Sequence, residues 1–267
     1  MRELGCSGSS AVKFRWVDAL SRDQAGNIKG GHMRYEGLRS AISSLDGVKG
    51  GCTAAFFDLD NTILDMHTMI LFARYLSDLA RVSDDQVSTM LAAVKDAERA
   101  GATREQTNGI FFSVLRGLSE EEYLHLGSQW WEQAEKKFVE PILREFELLK
   151  AHDVPVVAVS GSYSCCVRPI IQSLGMTAGF GSEPEISSGL LTGKVRVPLV
   201  GEQKKAQLLE YLKSHAGLSS STLAYGDHPS DFPMLSAASR ACFVHSGSTD
   251  AETLLYVQSR GWRVVTV

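Results

Sequence analysis

Two aspartates one residue apart follow a short apolar run in this chain. Residues 54–57 are all apolar, and Asp58, Asp60 and Thr62 come directly after them. Such a run ending in Asp and Asn is typical of a buried strand that continues into a loop. Carboxylates at that place can hold a cation, attack an electrophile or transfer a proton, and burying them without such a use costs free energy. The pair is therefore the first candidate for a reactive centre.

Further polar clusters follow two later apolar runs. Ser160, Gly161 and Ser162 come after Val154–Val159, and Asp227 with Asp231 comes after Thr222–Tyr225. Ligands collect at the carboxyl ends of strands in an open α/β sheet, so these clusters are expected to meet. Several aspartates with small hydroxyls suit a hard cation, of which Mg²⁺ is the usual one, together with a substrate phosphate. The lysine pair Lys204-Lys205 could offset phosphate charge, so the whole set indicates phosphoryl transfer.

About ninety residues after Thr62 show helical patterns and no convincing strand. A parallel crossover needs only a dozen or so residues, so this stretch is too long for one helix. We therefore predict an inserted helical subdomain over residues 66–145, above the carboxyl end of the first strand. The helix signals are the apolar segment Met69–Ala80, the capping pairs Ser83/Gln86, Thr103/Gln106 and Ser119/Glu122, and Pro141 in a first helical turn.

Strand and helix patterns alternate from Val154 to the last residue. This alternation predicts an α/β fold, a doubly wound and mostly parallel Rossmann-like sheet made of residues 51–65 and 146–267. A β-rich excursion over residues 186–197, with a turn at Ser188-Gly189, interrupts the alternation.

Composition restricts the functional class. The chain has 267 residues, 44% hydrophobic and 22% charged, with a net charge of -4. The absence of a long basic run argues against a nucleic-acid or anionic-membrane surface, and no apolar run approaches the ~20 residues of a membrane span. Five cysteines without metal-ligand spacing favour a reduced, cytoplasmic setting. Residues 1–50 are predicted to be a poorly ordered extension, and organellar targeting by it stays open.

Four motifs in this order resemble those of the haloacid dehalogenase-like (HAD) phosphatases. Asp58-Leu59-Asp60-Asn61-Thr62 resembles D-x-D-x-T, Ser160 the second motif, Lys204 or Lys205 the third, and residues 226–231 the fourth, G-D-x-x-x-D. The resemblance spans residues 52–267. A helical insert between the first two motifs is similar to the phosphoserine-phosphatase-like branch, which has a mobile helical cap.

The resemblance implies a role for each motif residue. Asp58 would be the nucleophile that forms an aspartyl-phosphate, and Asp60 the general acid and base. Mg²⁺ would be held by Asp58, Asp227 and the backbone carbonyl of Asp60, while Asp231 would bind a metal-bound water or hold the loop. Phosphate would be bound by Thr62, Ser160, Gly161 and the motif lysine, for which Lys204 is favoured over Lys205.

The substrate implied is a small phosphorylated metabolite. Phosphoserine phosphatases carry a glutamate nine residues after the nucleophile, where this chain has His67, and a cap arginine, whose place falls near Phe111. Phosphoserine is therefore disfavoured as the main substrate. His67 and Arg104 are the residues expected to reach the leaving group when the cap closes.

Alternative interpretations accompany these assignments. A phosphotransferase or a catalytically silent phospho-ligand-binding module would use the same motifs, whereas a dehalogenase would not need an acid at Asp60. Trp130 and Trp131 could line a substrate pocket, but at least one of them is expected to pack in the helical insert, and Cys165-Cys166 is expected to pack at a helix start. His228, which lies inside the fourth motif, is interpreted as a loop residue. The oligomeric state is not indicated.

Overall fold

The computed structural model describes residues 53–215 and 221–267. The predicted extension over residues 1–50, which contains Cys6, lies outside the described residues, and so does Cys52. Within the described ranges the strands form one sheet in the order β4-β3-β2-β1-β5-β6-β7, parallel except for the antiparallel pair β3 and β4. The strands are β1 Ala54–Phe57, β2 Val156–Tyr163, β3 Ala178–Ser187, β4 Leu190–Val197, β5 Thr222–Gly226, β6 Arg240–His245 and β7 Arg263–Thr266. The predicted fold class is confirmed.

Helices separate these strands along the chain. They are α1 Thr68–Asp78, α2 Asp84–Arg99, α3 Arg104–Phe111, α4 Glu120–Gln133, α5 Glu140–Ala151, α6 Ser164–Leu174, α7 Glu202–Ser214, α8 Phe232–Ala237 and α9 Ala251–Ser259, with 3₁₀ turns at Phe112–Leu115 and Pro229–Asp231. Within the described ranges, no helix is long and apolar enough to cross a membrane.

The core lies on both faces of the sheet because successive strand side chains point to opposite faces. On one face Phe56 belongs to a buried cluster with Leu208 of α7 and Val257 of α9. On the other face Phe57 stacks on Tyr225 and contacts Phe146 of α5 edge-on. Strand β1 is thus held from both sides directly before the first reactive aspartate.

Strand β2 is longer at its carboxyl end than predicted, since the predicted strand ended at Val159. It continues through the Ser160–Ser162 segment to Tyr163, with a register irregularity against β3 between Val159 and Tyr163. The predicted β-rich excursion is the hairpin of β3 and β4, in which Ser188 and Gly189 both have positive φ angles. Two left-handed residues form the type I′ geometry that suits a two-residue hairpin.

Three helices of the insert begin where their capping residues predict. Ser83 with Gln86 and Thr103 with Gln106 form complete capping boxes, and Ser119 accepts a hydrogen bond from the backbone of Glu122. The predicted boundary at residue 145 cuts through α5, which packs on the sheet through Phe146. Residues 140–145 are therefore part of a helix that packs on the sheet, and we place the end of the insert near Val139.

We call the insert the cap. Its two halves, the α2–α3 hairpin and residues 117–133, differ in how extensively they contact the rest of the fold. Leu118 and Gly117 exchange backbone hydrogen bonds with Leu191 of β4 (2.8 and 2.9 Å). Helix α4 packs closely on α6, since a Cβ atom on Gly127 would lie 2.3 Å from the carbonyl oxygen of Cys165. Trp131 also donates to Ser173 (2.8 Å). Residues 117–133 are thus fastened to the core, whereas the α2–α3 hairpin has contacts mainly at the inner side of α3.

Candidate active site

The loop after β1 turns sharply around one carbonyl group. The backbone N–H groups of Thr62, Ile63 and Leu64 all donate to Leu59 O (3.3, 3.1 and 2.9 Å). Asn61 sits in the left-handed region with φ 55°, which asparagine tolerates better than most residues. Asp58 is held at the strand end, where its N–H donates to Tyr225 O (3.0 Å). The compact turn places two carboxylates at the carboxyl edge of the sheet.

Lys204 is the buried lysine of the adjacent pair. Its Nζ donates to Asp58 Oδ1 (2.7 Å) and to Asp231 Oδ1 (2.6 Å), and its side chain is 3% exposed. Lys205 instead contacts Glu202 at 3.4 Å with its side chain 42% exposed. Burial alone would lower the pKa of Lys204, but Asp231 and Asp58 together raise it above its usual value. The ammonium group is therefore charged and faces the nucleophile position.

The loop after β5 is organised around Asp231. The Oδ2 atom of Asp231 accepts hydrogen bonds from the backbone of Asp227 (3.2 Å) and His228 (3.1 Å), and its Oδ1 atom accepts from Lys204. Both carboxylate oxygens are thus occupied in shaping the loop.

Two other motif residues make contacts near this loop. The His228 ring accepts a hydrogen bond from the Ser230 backbone (3.1 Å), which is a contact within the loop, and the Thr62 hydroxyl donates to Asp227 Oδ1 (3.2 Å). The predicted contact of Thr62 with phosphate stays a prediction.

Asp58, Asp227 and Asp231 form an acidic cluster. One carboxylate oxygen of each lies within 4.8 Å of the others. Burial, followed by the charge of Asp231, raises the pKa of Asp227 well above its usual range. Burial also raises the pKa of Asp58, against the opposing effect of Lys204. One lysine does not offset three carboxylates, and hard oxygen donors at this spacing fit a divalent cation such as Mg²⁺.

The side chain of Asp60 turns away from this cluster. Its Oδ2 atom accepts from the Thr68 backbone and hydroxyl (both 3.0 Å) and from the Ser162 hydroxyl (3.1 Å). Its Oδ1 atom is buried and has no hydrogen-bond partner among the described residues. Burial first, and then the charge of Asp58, raises the pKa of Asp60 to about 7. A carboxyl group held through one oxygen, with a pKa near neutrality, can give and take a proton through the other.

The Ser160–Ser162 segment faces the same site. The Ser160 hydroxyl is buried and accepts from the Ser162 backbone N–H (3.2 Å), so its own proton is available to a further acceptor. The Gly161 carbonyl accepts from Ser182 Oγ (2.9 Å) and from Asn108 Nδ2 of the cap (2.8 Å). This last bond joins the cap directly to the second motif.

His67 and Arg104 are both brought to this side of the sheet. His67 is the residue before α1, adjacent to the Thr68 that binds Asp60. Burial, and then the positive charge of Arg104, lowers the pKa of both His67 and His228. Arg104 is the exposed first residue of α3, and its neighbour Glu105 lies against Gly201, directly before α7.

Two residues near the site were missed by the sequence interpretation. Thr68 binds Asp60 through two hydrogen bonds, and Asn108 binds Gly161 from a buried position. A signal for Asn108 was present, because Phe111 and Phe112 follow it at helical spacing and mark its face as buried. Trp130 and Trp131 are both buried in the cap, which agrees with the prediction that at least one of them packs there.

Comparison with known sequences identifies the family. The model of the haloacid dehalogenase-like hydrolases matches residues 55–236. A probable phosphatase of Mycobacterium tuberculosis is 27% identical over 230 residues, which cover 80% of this chain and 75% of that protein. A phosphoserine phosphatase of Archaeoglobus fulgidus is 26% identical over 187 residues, covering 68% of this chain and 49% of that protein.

Solved structures agree on the fold. A Bordetella pertussis protein of unknown function superposes with a TM-score of 0.68 at 21% identity, over 79% of this chain and 97% of that chain. A phospho-aspartyl intermediate analogue of phosphoserine phosphatase gives a TM-score of 0.54 at 22% identity, over 72% of this chain and 86% of the other. The family expected from the four motifs is confirmed: this chain belongs to the haloacid dehalogenase-like hydrolases.

Proposed function

We propose that this protein is a Mg²⁺-dependent phosphatase that hydrolyses a small phosphorylated metabolite through an aspartyl-phosphate on Asp58. The observation that carries the proposal is the arrangement around Asp58. A buried carboxylate is paired with Lys204, lies beside two further aspartates, and has a protonatable Asp60 two residues away. Relatives named phosphatase and phosphoserine phosphatase support the same reaction class.

Asp58 and Asp60 support a reaction in two steps. Asp58 attacks phosphorus, and the bond from phosphorus to the leaving oxygen breaks while Asp60 gives that oxygen its proton. Asp60, now a carboxylate, takes a proton from water as the water attacks the acylphosphate, which frees Asp58 and phosphate. Lys204 and the Ser160 hydroxyl stabilise charge on the phosphoryl oxygens.

The acidic cluster would hold the metal. Asp58 and Asp227 are the side chains available as ligands, because both oxygens of Asp231 already accept hydrogen bonds. When bound, Mg²⁺ would supply the positive charge that lets an anionic carboxylate approach an anionic ester.

Metal removal tests this function. We expect the purified protein to release phosphate from p-nitrophenyl phosphate with Mg²⁺, and EDTA to lower the rate more than about 100-fold, since several kcal/mol of charge stabilisation are lost. Re-addition of Mg²⁺ should restore the rate, and phosphate release is the measurement. Undiminished hydrolysis after complete metal removal would contradict the metal assignment, and no hydrolysis of any ester would contradict the phosphatase.

Substrate entry requires movement, because Asp58 is 7% exposed and Lys204 is 3% exposed. The α2–α3 hairpin is the part of the cap that we expect to move. A Cβ atom on Gly109 of α3 would lie 3.7 Å from Val195 Cγ1 of β4. A disulfide between cysteines at 109 and 195 is therefore feasible, and its oxidation should lower the hydrolysis rate at least about 10-fold, reversibly with dithiothreitol.

A second disulfide to the same strand provides the control. Ser119 and Leu190 form an antiparallel bridge between the fastened half of the cap and β4. Oxidised S119C/L190C should stay within about twofold of its reduced form, because this half need not move. Equal inhibition by both disulfides would instead mean that the cap moves as one body, and inhibition by neither would mean that α3 stays in place.

A further inference from the structure

Asn108 is a buried amide with half of its hydrogen-bonding capacity unused. It is 4% exposed, and its Nδ2 group donates to Gly161 O at 2.8 Å. Its Oδ1 atom is buried and has no partner in the described part of the chain. The bond to Gly161 fixes which end of the amide is the donor. An acceptor buried without a donor is costly, so such a group in a native protein is expected to accept from water or from a bound ligand.

Arg104 lies on the same face of α3, one helical turn before Asn108. The neighbouring Glu105 packs on Gly201, whose N–H donates to Ser230 O (3.0 Å) in the loop that holds the acidic cluster. The first turn of α3 is thus next to that loop. The guanidinium of Arg104 forms no hydrogen bond or ion pair with residues 53–215 and 221–267. The exposed guanidinium at the start of α3 is thus left available for an anion.

We propose that Arg104 and Asn108 form a leaving-group subsite in which Arg104 binds an oxyanion and Asn108 Oδ1 accepts from an adjacent neutral hydroxyl. The inference rests on the proposed phosphatase function and names its substrate class. That class is the phosphate monoesters of small hydroxy acids that keep one hydroxyl free beside the acid group.

Charge explains why the donor is a hydroxyl and not an ammonium. Arg104 carries a fixed positive charge, and His67 occupies the position nine residues after the nucleophile without a negative charge. The carboxylate nearest in sequence, Glu105, is turned to Gly201. An ammonium group would be desolvated beside the guanidinium with no counter-charge on the α3 face, whereas a hydroxyl satisfies Asn108 at no charge cost.

Paired substrates separate the two contacts. 3-Phosphoglycerate carries both groups, glycerol 3-phosphate lacks the carboxylate, and 3-phosphonooxypropionate lacks the free hydroxyl. In the wild type we expect kcat/KM to be about 10- to 100-fold higher for 3-phosphoglycerate than for either of the other two esters. The loss of one hydrogen bond to a charged or buried group lowers kcat/KM by about that factor. Phosphoserine should be hydrolysed more slowly than 3-phosphoglycerate.

Single variants should remove one preference each. R104Q should bring the ratio of 3-phosphoglycerate to glycerol 3-phosphate to within about threefold of one, and N108L should do the same for the ratio to 3-phosphonooxypropionate. If Asn108 only supports the Gly161 loop, N108L would lower both rates and leave their ratio unchanged. The matched control is R116Q, because Arg116 packs on Gly193 of β4 and should keep every ratio.

A binding measurement tests the proposed subsite separately from the proposed phosphatase activity. Calorimetry of 3-phosphoglycerate and glycerol 3-phosphate with D58N reports the same preference without turnover. Ratios that persist in both R104Q and N108L, or faster hydrolysis of phosphoserine than of 3-phosphoglycerate, would overturn the subsite. A protein that hydrolyses none of the esters but binds 3-phosphoglycerate through Arg104 would keep the subsite and refute the phosphatase.

Discussion

Asp58→Asn is expected to abolish hydrolysis of p-nitrophenyl phosphate, with a loss of at least about 10⁴-fold in kcat, because an amide cannot form the aspartyl-phosphate. The fold should persist, since asparagine has the same shape and its carbonyl can still accept from Lys204. Removing one of three clustered carboxylates also relieves repulsion with Asp231 and Asp227. Steady-state rates and thermal unfolding of the metal-free protein measure the two effects.

Asp65→Asn is the matched control for this variant. Asp65 follows in the same loop, but its side chain is exposed and its backbone N–H donates to Lys137 O. The control should stay within about twofold of the wild-type rate and within about 0.5 kcal/mol in stability. A folded D58N protein with more than a tenth of the wild-type rate would rule out Asp58 as the nucleophile.

Lys204→Met has the second largest expected effect. The change removes the ammonium that touches Asp58 and Asp231, and it should lower kcat about 10²- to 10³-fold, as for other preorganised charge donors. Breaking a buried ion pair also leaves unpaired carboxylates, at a cost of about 3–5 kcal/mol of unfolding free energy without metal. Mg²⁺ should recover part of that loss by mass action.

Lys205→Met is its control. The two lysines are neighbours, yet Lys205 makes an exposed contact with Glu202, which is worth at most about 1 kcal/mol. Rates and urea unfolding curves with and without Mg²⁺ should therefore match the wild type closely. If K205M were the more damaging variant, the motif lysine would be Lys205 and the helix α7 would be docked differently in solution.

Much of this fold was predictable because its signals are local. Apolar runs that end in Asp, Ser or Gly marked β1, β2 and β5, and side-chain capping pairs marked the starts of α2, α3 and α4. Each signal depends on hydrogen bonds or hydrophobic periodicity within a few residues. The rule that strand ends meet at one edge then brought the first, second and fourth motifs together.

Other features depend on how the elements dock. The boundary of the cap near Val139, the continuation of β2 to Tyr163, and the bond from Asn108 to Gly161 join residues far apart in the chain. No local pattern distinguishes α5 from the cap helices before it, because both are amphipathic. Packing on the sheet decides that α5 belongs to the core.

The amino-acid sequence by itself determined the class of fold, the order of the four motifs and the identity of the acidic residues, since residue types and spacing are enough for these. The tertiary structure decided which lysine is buried, where the Asp60 carboxyl turns, and which α3 side chains face the site. Adjacent residues on a helix point about 100° apart, so only the docking of that helix selects between them.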